Sequence, residues 1–166
     1  MAARPRKVGR GSAGRASASA LPTVLLVAAD EDERAMLRDA LIEGSGPFDL
    51  RMVESAAELE RYLVAGADAD APAPSLVLVD VAGHATDAIE AIERLKRDPE
   101  HHRVPVIVLA DAGEHGDDDA VAQAYDAGAN TVLPRPATFL ALVRLMKVFT
   151  AYWLDAATLP AEHEPA

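Results

Sequence analysis

Five short apolar, β-branched runs alternate along this chain with stretches of helical spacing, and that alternation restricts the possible folds more than any other feature. The runs lie at 23–28 (TVLLVA), 48–53 (FDLRMV), 75–80 (SLVLVD), 104–109 (VPVIVL) and 131–134 (TVLP). Between them, apolar residues recur every three or four positions, which predicts helices. Residues 31–43 place Met36, Leu37, Ala40 and Leu41 on one face, and 55–65 place Leu59, Tyr62 and Leu63 there. Residues 87–97 use Ile89, Ile92 and Leu95, and 117–127 use Val121, Ala124 and Tyr125. Residues 138–154 use Phe139, Leu142, Val143, Leu145, Met146 and Phe149.

Strand and helix in strict alternation imply an α/β fold with a doubly wound parallel sheet covered on both faces. Runs 1, 3 and 4 are almost wholly apolar, as strands buried on both faces are. The second run carries Asp49 and Arg51 and suits an edge. Local punctuation agrees. Asp30 is placed to cap the first helix, with Glu33 three residues on, and Ser55 the second, with Glu58 three residues on. Asp98-Pro99 closes the third helix. Asp117, Asp118 and Asp119 suit the positive end of the fourth, Gly128 ends it, and Pro136 is expected to open the fifth.

The chain of 166 residues divides into a basic tail, 1–20, a domain, 21–155, and a loose Pro- and Glu-rich arm, 156–166. The tail holds Arg4, Arg6, Lys7, Arg10 and Arg15 and no acid, with too little apolar bulk to offset the entropy of ordering. It is read as an unstructured extension, with a tether or a targeting leader as the functional alternative. The net formal charge of -11 therefore leaves -16 on residues 21–166. A body so acidic repels phosphate backbones, which argues against nucleic acid and favours a protein partner. No cysteine occurs, so disulfides and thiolate metal sites are excluded and a reducing, cytoplasmic setting is expected. No apolar stretch is long enough to cross a bilayer. Gly9, Gly11 and Gly14 spell a dinucleotide-binding pattern but lack the strand before and the helix after that the chemistry requires.

A sheet of this kind places its chemistry outside the carboxyl ends of its strands. Those ends are Ala28-Ala29-Asp30, Asp80-Val81-Ala82, Ala110-Asp111 and Pro134-Arg135-Pro136. Asp80 is the carboxylate pointing from the central strand into the crevice, and Arg135 stands where it could face it. Histidines are weaker candidates: His101 and His102 suit a solvated turn, and His84 and His115 suit exposed loops beside the crevice. No Ser-His-Asp spacing or nucleophile elbow is present.

The LLVAADEDE start, the LVLVD strand, the LKRDPEHHRVPVIVLAD segment and the GANTVLPRP segment resemble the receiver domains of two-component response regulators over roughly residues 22–154. The resemblance implies a flavodoxin-like (βα)5 fold with strand order 2-1-3-4-5. It implies that Asp80 is the acceptor of a phosphoryl group from a partner's phosphohistidine. It also exposes departures. The two acidic positions that hold Mg²⁺ in the family are Ala28 and Ala29 here. The hydroxyl position is Ala110, the lysine position is Arg135, and the aromatic switch position is Val132. Asp30, next in sequence, is a weak metal candidate and better suited to capping. Arg135 could pair bidentately with Asp80 and occupy it.

Phe149, Tyr152 and Trp153, followed by Leu154, form an apolar stripe that either packs on the chain's own fifth strand and first helix or serves as a partner surface. The YWL segment followed by Leu159-Pro160 resembles the single-domain receivers accompanying phytochromes, which implies a homodimer through the fifth strand, the last helix and the carboxyl-terminal arm. The expectation is thus a non-enzymatic, atypical response regulator in phosphorelay signalling. It would bind a histidine kinase or another signalling protein through helix 1, helix 5 and the crevice. Its phosphoacceptance would be impaired or Mg²⁺-independent, with no cofactor. The alternative is a working phosphoacceptor, and only then is Mg²⁺ expected.

Overall fold

A computed structural model describes residues 21–44, 46–66, 70–111 and 118–160. The basic tail, His115, Asp117 and residues 161–166 of the arm lie outside the described residues.

The strands are β1 (Thr23–Val27), β2 (Asp49–Val53), β3 (Leu76–Asp80), β4 (Val106–Asp111) and β5 (Thr131–Arg135). They form one parallel sheet in the order β2-β1-β3-β4-β5. The order follows from the residues. β1 and β3 are buried throughout, and β4 at every position but its last. The mixed β2 and the half-exposed β5 take the edges.

Helices α1 (Glu31–Gly44) and α5 (Phe139–Thr150) cover one face, and α2 (Ala56–Val64), α3 (Ala85–Arg97) and α4 (Asp118–Ala127) cover the other. A strand sends alternate side chains to opposite faces. Val24, Leu26, Leu76, Leu78, Ile107 and Leu109 therefore pack with Leu37 and Leu41 of α1 and Met146 of α5. Leu25, Val77, Val79 and Val108 pack with Leu59, Ile92 and Leu95 on the far side. Each buried leucine contributes roughly 1.5–3 kcal/mol by leaving water.

Several boundaries differ from the sequence reading, each for a local reason. α5 begins at Phe139, capped by the Thr138 hydroxyl, which accepts the Ala141 N–H at 3.2 Å. Pro136 instead lies in the connection before it. α3 begins two residues early, and its small Ala88 and Ala91 are buried where Ile89 is only half-buried. Tyr125 and Phe139 were expected on core faces but are 49% and 41% exposed. Helical spacing gives a direction, and these two sit at the border of the buried arc. Gly128 ends α4 as expected, at φ +112°, where a Cβ would approach the Lys96 Cγ to 2.8 Å. Beyond α5 the chain continues in a π-helical segment, Ala151–Ala156.

Candidate functional site

Alternation along the strands builds the site. Asp80 follows Leu76 and Leu78 on the α1/α5 side of β3, Ala28 follows Val24 and Leu26 on β1, and Arg135 follows Leu133 on β5. All three therefore emerge on one side of the sheet at its carboxyl edge. Ala110 has the opposite parity and joins the core beneath α3 and α4. Asp80 is 6% exposed. Its Oδ1 accepts the Ala82 N–H at 3.3 Å, and Gly83, at φ +68°, turns the chain toward α3.

Arg135 reaches this carboxylate. Its Nη1 donates to both Oδ1 and Oδ2 of Asp80 at 2.9 Å. This is not the bidentate fork expected from the sequence, because one nitrogen spans both oxygens. The other nitrogen, Nη2, donates to the Glu33 carboxylate. The side chains of Arg135 and Asp80 are 7% and 3% exposed, and that of Glu33 is 36% exposed.

Glu33 was legible in the sequence only as a capping partner. Its N–H does donate to Asp30 Oδ1 at 2.9 Å, so Asp30 caps α1 as expected, but the Glu33 carboxylate turns to Arg135. An acid in the first helical turn overhangs the crevice, yet spacing alone does not reveal which cation it meets.

Burial pushes the Asp80 carboxyl up to about 6, with Asp111 and Asp30 adding to the shift and the Ala82 N–H opposing it. The adjacent guanidinium also favours the carboxylate, so the group is ionised at neutral pH. Burial lowers the Arg135 pKa, and Asp30 opposes that shift. A guanidinium begins so high that it remains charged.

Where the family would hold its metal, the donor set does not fit one. Ala28 is fully buried and Ala29 half-buried, and neither side chain can ligate. Arg34 Nη1 donates to the Ala28 and Ala29 carbonyls at 2.7 and 3.4 Å, which places a second cation at this strand end. Both Asp80 oxygens already accept from Arg135. Among the described residues no group of three His, Asp or Glu side chains could hold a metal. Beside the carboxyl end of β3, a cavity of about 400 Å³ opens between Val81, Gly83, Thr86, Ala110 and Asp111.

No protein-family model matches the chain. Response regulator Rcp1 of Synechocystis sp. is 30% identical over 92 residues, covering 55% of this chain and 60% of Rcp1. The matched part thus spans less than two thirds of that relative. The phosphorylated cyanobacterial phytochrome response regulator RcpA superposes with a TM-score of 0.72 at 28% identity, over 86% of this chain and 100% of RcpA. The Mn²⁺-bound form of Rcp1 superposes with a TM-score of 0.69 at 25% identity, over 84% and 99% of the two chains. The chain has the fold of the response-regulator receiver domains and is similar to them in sequence. It is similar to the phytochrome-associated single-domain receivers in particular.

Other residues of the receiver singled out in the sequence fall as follows. His101 is not solvated: it is 8% exposed, and its Nδ1 lies 3.0 Å from Asp98 Oδ1. Burial raises the Asp98 pKa, but the N–H groups of Glu100 and His101 and the His101 ring outweigh it and hold the carboxyl low. His102 and His84 are exposed. Val132 is half-buried, and its N–H donates to the Tyr125 hydroxyl at 3.2 Å. Of the apolar stripe, Phe149 is 2% exposed and belongs to the receiver's own core, which corrects its assignment to a dimer surface. Trp153 and Leu154 are half-buried against that core, and Tyr152 is 58% exposed. Tyr152 and Trp153 meet edge to face with ring centres 5.1 Å apart.

Proposed function

We propose that this chain is an atypical response regulator in phosphorelay signalling, acting mainly as a protein-binding module with impaired or Mg²⁺-independent phosphoacceptance. The observation that carries this reading is the Arg135 Nη1 lying against both Asp80 oxygens. Nucleophilic attack on phosphorus needs a free carboxylate lone pair and a cation that neutralises the charge building on the transferring group. Here the cation already sits on the nucleophile, and Ala28, Ala29 and Ala110 bring neither metal ligand nor hydroxyl. Output would come from contact with a histidine kinase or another signalling protein. A second copy of the chain is the other proposed partner. Leu140, Val148 and Tyr152, 58–67% exposed on one side of α5 and its extension, support that surface.

One observation favours the alternative of a working phosphoacceptor. Asp80 is ionised at neutral pH, and a cavity of about 400 Å³ lined by Val81, Gly83, Ala110 and Asp111 opens next to it at the same strand ends. In that reading a carboxylate oxygen of Asp80 attacks phosphorus. The P–N bond to the donor histidine breaks, and the imidazole keeps the electron pair. Arg135 would move its N–H groups from the carboxylate to the phosphoryl oxygens.

The test is intact mass after incubation with acetyl phosphate, with and without Mg²⁺, beside Asp80→Asn. The parent chain is expected to gain little or no phosphate, to an extent indifferent to Mg²⁺, and the variant with Ala28→Asp, Ala29→Asp and Ala110→Thr is expected to gain one when Mg²⁺ is present. A phosphate adduct formed at family-like speed on the parent, in a Mg²⁺-dependent manner and lost in Asp80→Asn, would establish the alternative.

A further inference from the structure

We propose that Glu33 and Asp80 share Arg135 as one cation between two carboxylates, so that a change of charge at Asp80 is felt at the first turn of α1. This deepens the reading above and rests on the Asp80–Arg135 pair being the resting state of the site.

The guanidinium joins three elements that are far apart in sequence. Nη1 holds Asp80 at the end of β3, Nη2 holds Glu33 in α1, and the side chain springs from the last residue of β5. Its two partners are unequal. Asp80 is nearly sealed from solvent and has no water to replace the guanidinium, whereas Glu33 is 36% exposed and can be hydrated if released. An uncompensated buried charge is far more costly than an exposed one. Glu33 is therefore the exchangeable seat. Added negative charge at Asp80, such as a phosphoryl group, draws the second arm of the fork inward and frees Glu33. Removal of charge at Asp80 leaves the guanidinium to Glu33.

The consequence is carried to α1 because Glu33 lies in its first turn. That turn is otherwise fastened by Asp30, which accepts the Glu33 N–H, and by Arg34, which donates to the carbonyls of Ala28 and Ala29. Among the described residues, Arg135 is the side chain that links Asp80 to another element. Ala110 and Val132 offer neither a hydroxyl nor a ring to do so.

A double-substitution cycle on the full chain tests the proposal. Asp80→Asn and Glu33→Gln are nearly isosteric and each leaves Arg135 one carboxylate, whereas together they leave a buried guanidinium facing two amides. The folding equilibrium constant of the double variant is expected to fall at least about fivefold below the product of the single effects. The deficit should vanish when Arg135→Met is also present. In parallel, Asp80→Asn should shift the amide resonances of residues 31–34 in the parent chain and leave them unmoved in the Arg135→Met chain. That second measurement decides the matter if the double variant does not fold. Additive effects with unmoved α1 amides, while the Arg135 guanidinium resonances still respond to Asp80→Asn, would overturn the sharing and leave the Asp80–Arg135 pair standing. Guanidinium resonances indifferent to Asp80→Asn would remove the pair itself, and the proposed function with it.

Discussion

The Nη1 nitrogen of Arg135 stands 2.9 Å from both carboxylate oxygens of Asp80, at the end of the central strand of a receiver fold. A cation supplied by the chain thus sits on the Asp80 carboxylate. Its geometry makes the two groups interdependent in stability and in titration.

Arg135→Ala is expected to destabilise the fold by about 3–5 kcal/mol at neutral pH, since it leaves Asp80 buried without a counter-ion. Part of this loss should be regained as the pH falls, because the carboxyl left without its guanidinium takes up a proton more readily than in the parent. Urea unfolding of parent and variant at pH 7.5 and 5 measures both effects. An equal loss at both values would mean that the charge of Asp80 is not what the arginine compensates.

Asp80 also gives the protein a pH dependence of unusual sign for an aspartate. Its folded-state value, about 6, lies above the ordinary 3.8. Between these values the native chain binds the proton more tightly than the unfolded chain, so the contribution of Asp80 to stability falls as pH rises from about 4 to 6. Full expression of the shift corresponds to about 3 kcal/mol. Relative to the parent, Asp80→Asn should therefore gain stability as pH rises through this window. A constant difference between the two proteins from pH 4 to 7 would contradict the raised value.

At the opposite end of the sheet, Gly128→Ala combines a left-handed backbone with a Cβ 2.8 Å from the Lys96 Cγ. A cost of about 1–3 kcal/mol is expected. Adding Lys96→Ala should recover only the part due to the contact, because the backbone strain at φ +112° remains. Thermal unfolding of the single and double variants separates the two contributions.

Phe149 and Tyr152, three positions apart, should behave oppositely. Phe149→Ala opens the α1/α5 core and should cost about 3–5 kcal/mol. Tyr152→Ala should leave the stability of the monomer within about 0.5 kcal/mol. If the outer side of α5 holds a second copy, the tyrosine variant should sediment as a lighter species than the parent. Unchanged sedimentation would move the proposed dimer elsewhere.

Much of this protein was legible in its sequence, for reasons that differ residue by residue. The apolar runs TVLLV, LVLVD and VIVLAD admit little but buried strands, and parity along them aims Ala28, Asp80 and Arg135 to one side. Ser55 and Asp30 cap their helices as read, because a cap is a local hydrogen bond within three residues. Tyr125 and Phe139 were harder, since helical spacing gives an angle but not the depth of the neighbour across it. His101 was read as solvated because nothing local shows that the α3–β4 turn folds inward.

The sequence by itself determined the alternating fold, the sheet with its mixed strand at the edge, and the strand end that carries Asp80, because periodicity and capping act over a few residues. Only the tertiary structure decided that Glu33 leaves its expected capping role to share Arg135 with Asp80. That choice joins residues 33, 80 and 135, and it depends on how α1 overhangs β3 and β5 and on which carboxylate is denied water.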